Sequence, residues 1–349
     1  MLKFRNIFLF FVLILIFSNC YSDTYKKYVK SGYAMGSDLT IIFFSKDSKN
    51  AQKIMDQCFV IAKELDAKIS TRVQNNFIDN LNKNRKLVIN DDFTLSLIKE
   101  SIFYAEKTNG SFDPSLYEII NLWGFESGNN IVPKDSSIKE SLKKTGYKNI
   151  LINDKEVVLK NNISLDLGGI GQGRMVTEIS KYLTSCEIVD FLINGSGDLR
   201  IGGKFAGERK WKIGIANPYN DSQIIGEIEL EDCSIVTSGD YERFFISEDG
   251  KRYHHIFDPK TGYPSNKGVH SVTVITKDTT KCDALSTALF VMGEEEALNF
   301  TKQNSDVDLI LISGDEDNKK ISFSDGIKMQ EKPDGRYNFF YNPKITNNQ

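Results

Sequence analysis

Residues 166–173 read Asp166-Leu-Gly-Gly-Ile-Gly-Gln-Gly173, and this stretch decides which nucleotide-binding folds stay open. It lies between an apolar, β-forming run at 157–165 and a helical pattern at 174–182. Glycines at such a junction let backbone approach a ligand closely, and a helix N-terminus favours phosphate. Gly169, Gly171 and Gly173 do not give G-x-G-x-x-G, and the Walker lysine is absent. The Rossmann and P-loop readings therefore both fail. A tight structural turn is the alternative use of the same glycines.

On either side of this stretch, short strands are expected at 39–44, 189–193, 211–216, 227–230, 271–276 and 307–312. Helices are expected at 48–67, where Ile54, Phe59, Ile61, Ala62 and Leu65 fall at helical spacing, and at 92–108, stopped by Asn109-Gly110. Further helices are expected at 137–144, at 283–292 ending at Gly293, and at 294–303. The segment 111–128 reads as loop-like, with an exposed-looking Trp123. Strands and helices mix without regular β-α-β alternation, and no Pro-, Gly- or Ser-rich linker divides them. The expectation is one α+β or mixed α/β domain over 31–342, followed by a disordered Asn-rich tail at 343–349.

The chain has 349 residues, 40% hydrophobic and 26% charged, with a net charge of −3. That is ordinary for a globular protein and lacks the basic excess of a nucleic-acid surface. The N-terminus differs. Lys3 and Arg5 precede an unbroken apolar run at 7–17, then Ser18, Asn19 and Cys20. This is the order of a secretory signal, and the run is too short to span a bilayer, which needs about 20 residues. Cys20 at that place resembles a bacterial lipobox. The expectation is a signal peptide at 1–19, diacylation of Cys20, a polar tether over 20–30, and an exported lipoprotein on the inner membrane facing the periplasm. An uncleaved anchor and a plain signal peptide are the alternatives. Cys58, Cys186, Cys233 and Cys282 form no C-x-x-C pair and are expected to be mostly buried thiols.

Three further segments carry candidate chemistry. Asn194-Gly-Ser-Gly-Asp-Leu-Arg200 follows a strand; Asp198 and Arg200 could form a simple salt bridge there. Thr237-Ser-Gly-Asp-Tyr-Glu-Arg243 precedes His254, His255 and His270, all three histidines of the protein. Histidine is the usual general base near neutral pH. Adjacent strand positions point to opposite faces, so His254 and His255 are not expected to share one metal. In Cys282-Asp-Ala-Leu-Ser-Thr-Ala288, Asp283 and Thr287 are four apart and share a helix face. A carboxylate, a hydroxyl and nearby carbonyls are the hard oxygen ligands that Mg2+ prefers. Helix N-capping by Asp283 is the plainer alternative.

In this order the segments resemble the ApbE family of flavin transferases. The resemblance runs from Met35-Gly-Ser37 through Ser70-Thr71, Phe112-Asp-Pro114, Asn121-Leu-Trp-Gly-Phe125, Leu165-Asp-Leu-Gly-Gly-Ile170, Asn194-Gly-Ser-Gly-Asp198, Thr237-Ser-Gly-Asp-Tyr-Glu-Arg243, His255-Ile-Phe-Asp-Pro-Lys-Thr-Gly262 and Asp283-Ala-Leu-Ser-Thr287. It implies a single T-fold-like domain that binds FAD in a cleft with Mg2+ at the pyrophosphate. It places Met35, Leu122, Trp123, Gly124, Asp166, Gln172, His255 and Phe257 around FAD. Asp283 and Thr287 are implied as Mg2+ ligands by side chain, and Gly169 and Ser286 by carbonyl. The implied reaction moves FMN from FAD onto Ser or Thr of a partner flavoprotein, with release of AMP. His255 is the candidate base and Asp283 the metal-side alternative. Arg72 stands where the family often has Tyr after Ser70-Thr71; it can still stack on an aromatic plane. That departure keeps hydrolysis of FAD to FMN and AMP open, and an FAD-storing lipoprotein is the reading of another class.

Overall fold

The computed structural model describes residues 25–343. The expected signal peptide, Cys20, the first part of the expected tether and the expected tail from 344 lie outside the described residues. None of the described helices is long and apolar enough to cross a membrane.

The centre is an eight-stranded antiparallel sheet whose spatial order follows the chain: β1 Lys26–Ala34, β2 Ser37–Ser45, β3 Phe191–Gly195, β4 Asp198–Gly202, β5 Cys233–Gly239, β6 Val269–Thr276, β7 Asp308–Ser313 and β8 Lys320–Phe323. The mixed α/β expectation holds. The central strands read as unbroken apolar runs because both faces of the sheet are covered. On β2, Leu39, Ile41 and Phe43 pack under helices, while Ile42 and Phe44 pack on a second sheet. On β7, Leu309 and Leu311 face the helices and Ile310 and Ile312 the second sheet. That alternation is the two-residue period of a strand. The second sheet is four-stranded, from Trp211–Asn217, Asn220–Leu230, Ile327–Glu331 and Tyr337–Tyr341.

The helical side carries α1 Ala51–Ile69, α2 Asp92–Lys107, α3 Tyr117–Trp123, α4 Gly168–Ser185, α5 Thr279–Met292 and α6 Glu294–Gln303. On α1 the buried residues Ala51, Met55, Cys58, Ala62, Leu65 and Ile69 recur every three or four positions, which is one helix face.

The structure corrects the sequence reading in four places. Residues 26–30, expected as tether, are the start of β1; the lysine-rich, weakly apolar sequence of β1 is that of an edge strand, which needs no continuous apolar pattern. The glycine-rich stretch is not a turn before a helix, because α4 starts at Gly168 and contains Gly169, Gly171 and Gly173. A Cβ on Gly173 would overlap the Thr279 carbonyl oxygen and stand 2.6 Å from Asp283 Cβ. Glycine is there for close helix packing. The strand expected over 157–165 shortens to Glu156–Leu159, paired with Ile150–Asn153 and Lys86–Val88 in a small sheet. Finally, 111–128 is not all loop: it holds α3, closed by Gly124 at φ +77°.

Candidate active site

Two tight hairpin turns from the sheet and the facing ends of α4 and α5 enclose a cleft of about 650 Å³. This is within the usual range for a small-molecule site. The β1–β2 turn places Met35 (φ +52°) and Gly36 (φ +76°) on its wall. Two consecutive left-handed residues are what a type I′ hairpin requires. The Met35 N–H donates to Asp66 Oδ2 at 3.2 Å. The β3–β4 turn contributes Ser196 and Asp198. Gln172 is fixed from both sides, donating to the Gly195 carbonyl oxygen and accepting from Ser37 Oγ at 3.2 Å.

Helices α4 and α5 meet where glycines leave room. Asp283 Oδ2 accepts the Gly173 N–H at 2.8 Å, and a Cβ on Gly169 would stand 3.8 Å from Thr287 Oγ1. Gly169, Asp283 and Thr287 therefore share one wall of the cleft. Asp283 is not the helix cap, since Asp278 holds that role by accepting from Lys281 N at 2.8 Å.

Asp198 does not pair with Arg200, whose guanidinium bonds the Ile201 carbonyl oxygen instead. It faces Asp283. Both carboxyls are buried, Asp198 to 8% and Asp283 to 7% exposure, and Asp198 Oδ2 has no hydrogen-bond partner. Burial raises the pKa of each; the Asp283 charge adds to the rise at Asp198, and the Gly173 N–H opposes it at Asp283. Two buried carboxyls this close favour a shared proton or a cation. Asp166 accepts the Gly168 N–H at 2.7 Å, and burial raises its pKa as well.

The three histidines diverge. His254 is buried, with Nε2 2.9 Å from the Ser265 carbonyl oxygen and Nδ1 accepting from Ile256 N at 3.2 Å. His270 Nδ1 lies 2.8 Å from Asp240 Oδ2. His255 lines the cleft, with Nδ1 3.1 Å from the Arg243 carbonyl oxygen. A carbonyl only accepts, so Nδ1 carries the hydrogen and Nε2 keeps its lone pair. Burial, then the Arg243 charge, hold the His255 pKa below the ordinary imidazole value, so the ring is neutral near pH 7.

Of the residues singled out from sequence, Met35, Arg72, Asp166, Gly169, Gln172, His255, Phe257, Asp283 and Thr287 line this cleft. Leu122, Trp123, Gly124 and Ser286 do not. Trp123 is fully buried, donates from Nε1 to the Gly262 carbonyl oxygen at 2.9 Å, and packs on Tyr253, Phe257 and Tyr263. Leu122 joins the same cluster. A Cβ on Gly124 would overlap the Asn129 carbonyl oxygen, so this glycine serves the turn. The Ser286 hydroxyl bonds Ser238 Oγ at 2.8 Å and ties α5 to β5. Ile120, Phe125 and Glu126 line the cleft in their stead.

Among the described residues no group of three or more His, Cys, Asp or Glu side chains is arranged to hold a metal. The oxygen donors of Asp283, Thr287 and Asp198 still suit Mg2+. That ion keeps several waters and takes substrate phosphates, so it needs few protein ligands.

The ApbE family model matches residues 35–311. An FAD:protein FMN transferase of Vibrio cholerae is 31% identical over 308 residues, covering 84% of this chain and 90% of its own. One of Treponema pallidum is 28% identical over 322 residues, covering 86% and 88%. The crystal structure of the ApbE protein from Thermotoga maritima superposes with a TM-score of 0.79 at 35% identity, covering 86% of this chain and 97% of its own. With its cleft, its α4–α5 wall and these likenesses, this chain belongs to the ApbE family.

Proposed function

We propose that the protein is an FAD:protein FMN transferase that uses Mg2+ and acts on Ser or Thr of a partner flavoprotein. The observation that carries the reading is the convergence of a neutral His255 with the buried Asp198–Asp283 pair on one cleft. Its support also comes from relatives that bear that activity in their names over nearly the whole chain.

The acceptor hydroxyl is too weak an acid to attack unaided, so its proton must go to a base in reach. His255 Nε2 takes it, while the Nδ1–H bond to the Arg243 carbonyl fixes the ring. The acceptor oxygen forms a bond to the FMN phosphorus as the bond to the bridging oxygen breaks, and AMP leaves with that oxygen. Mg2+, when bound through Asp283 and Thr287 with Asp198 beside them, supplies positive charge to the diphosphate. The glycine-opened N-terminal turn of α4 brings backbone N–H groups to the same region. Gly169 stays on that wall as a carbonyl donor. The Ser286 carbonyl stays a proposed ligand, although its hydroxyl is committed to Ser238.

The site belongs to an exported chain in this reading, anchored through Cys20 and facing the periplasm. Hydrolysis by water is the second reading, kept open because Arg72 lines the cleft where the family often has Tyr and brings a guanidinium there in place of an aromatic ring. Incubation with FAD, Mg2+ and a candidate acceptor distinguishes these. Flavin fluorescence on the acceptor in a denaturing gel supports transfer. FMN and AMP without a labelled acceptor favour hydrolysis, and intact FAD that merely co-purifies removes the enzyme reading.

A further inference from the structure

Glu126 stands on the cleft wall with both carboxylate oxygens engaged by arginines from different segments. Arg72, in the turn after α1, donates from Nε to Oε2 at 2.8 Å, and its Nη2 lies 2.8 Å from the same oxygen. Arg243 reaches from the far side, with Nη2 3.2 Å from Oε1 and 3.3 Å from the Phe125 carbonyl oxygen. Arg72 gets there by crossing the β1–β2 turn. A Cβ on Gly36 would overlap its Nη1, and Gly36 has a left-handed φ of +76°. The three residues thus join the first hairpin, the end of α3 and the segment leading to His255.

The titratable side chains around them are nearly all carboxyl groups. Asp66, Asp113, Asp166, Asp198, Glu242 and Asp283 all line the cleft. Among the described residues that line it, Arg72 and Arg243 are the only arginines or lysines. A dianionic ligand entering so acidic a cleft needs cations, and guanidinium forks that grip a carboxylate grip phosphate oxygens in the same way. In the free protein that grip is spent on Glu126. Arg72 and Arg243 are about half exposed, at 48% and 46% of their side chains, so the pairs are weak enough to exchange.

We propose that Glu126 is a resident competitor: it occupies the anion site that Arg72 and Arg243 offer to the substrate's diphosphate, and substrate entry takes the arginines from it. This rests on the reading of the cleft as an FAD site. Removing the competing charge strengthens binding of a phosphate-bearing flavin and leaves an uncharged flavin unaffected.

The test is equilibrium binding of FAD and of riboflavin to the full chain, followed by flavin fluorescence with Mg2+ and no acceptor. In Glu126→Gln, FAD is expected to bind roughly three- to ten-fold tighter, the scale of one or two exposed ion pairs, with riboflavin unchanged. Arg243→Met is expected to weaken FAD and spare riboflavin. Glu126→Ser gives the same sign as Gln should the amide fold poorly. Unchanged or weaker FAD binding in both Glu126 variants overturns the proposal. So does an equal gain for FAD and riboflavin, which would make Glu126 a steric barrier. Wild-type protein that binds no FAD at all removes the cleft reading itself, a result distinct from these.

Discussion

Gly173→Ala tests the packing of α4 on α5 by the sign of its effect. Alanine inside a helix ordinarily stabilises by roughly 0.5–1 kcal/mol relative to glycine. At this position the added Cβ would overlap the Thr279 carbonyl oxygen, with Thr279 C at 3.0 Å and Asp283 Cβ at 2.6 Å. Two of those atoms are backbone and the third is a Cβ, so no rotamer change relieves the clash. The helices must separate, and overpacking of this kind costs about 1–3 kcal/mol. Mid-range values, about 2 kcal/mol of overpacking against about 0.7 kcal/mol of helix gain, leave a net loss of roughly 1.3 kcal/mol. The same separation lengthens the 2.8 Å bond from Gly173 N–H to Asp283 Oδ2 and moves Asp283 relative to Gly169. Urea unfolding, followed by the fluorescence of the buried Trp123 and Trp211, is expected to show a lower midpoint with an unchanged slope. Any stabilisation by Mg2+ should shrink in the variant. A midpoint equal to or above wild type would refute the close approach of the two helices.

Other perturbations follow from the site. Asp198 and Asp283 have raised pKa values in the fold, so the folded chain binds more protons than the unfolded chain above about pH 4. Metal-free stability should therefore fall as pH rises from 5 to 8, and Asp198→Asn should flatten that fall; equal slopes in thermal melts would count against the pair. Trp123→Phe should cost roughly 1–3 kcal/mol, because the Gly262 carbonyl loses its buried donor, while FAD affinity stays as it was; a large loss of FAD affinity at full stability would return Trp123 to the binding wall. His255→Asn should lower the rate of FMN transfer by about 10²–10⁴-fold with FAD binding retained, and an unchanged rate would dismiss it as the base. Burial and the Arg243 charge depress the His255 pKa, so transfer should lose its base only well below pH 6.5; Arg243→Met should move that acid limb upward in a pH–rate profile.

Much of this was legible in the sequence, for physical reasons that differ by residue. Asp283 and Thr287 could be paired because a helix puts positions four apart on one face, and α5 does so. The strands at 39–44 and 307–312 were legible because burial on both faces makes them continuous apolar runs. β1 was missed because an edge strand rich in lysine carries no such run. Trp123 misled because its neighbours Asn121, Gly124 and Gly128 have loop-like local preferences. Its burial is decided by Tyr253, Phe257 and Tyr263, more than a hundred residues away. Asp198 was seen only beside Arg200; its meeting with Asp283 depends on how the β3–β4 turn faces α5. Glu126 gave no signal, since a single acidic residue after an aromatic reads as ordinary surface, and only the fold brings Arg72 and Arg243 to it.

Transfer from FAD to protein is decided by measuring AMP release and flavin attachment together. The protein is incubated with FAD, Mg2+ and an acceptor flavoprotein, alongside Asp283→Ala. The expected result is one AMP released for each FMN found on the acceptor by intact mass, with both lost in Asp283→Ala or on chelation of Mg2+. AMP release with no mass added to the acceptor, or labelling that persists in Asp283→Ala, would contradict it.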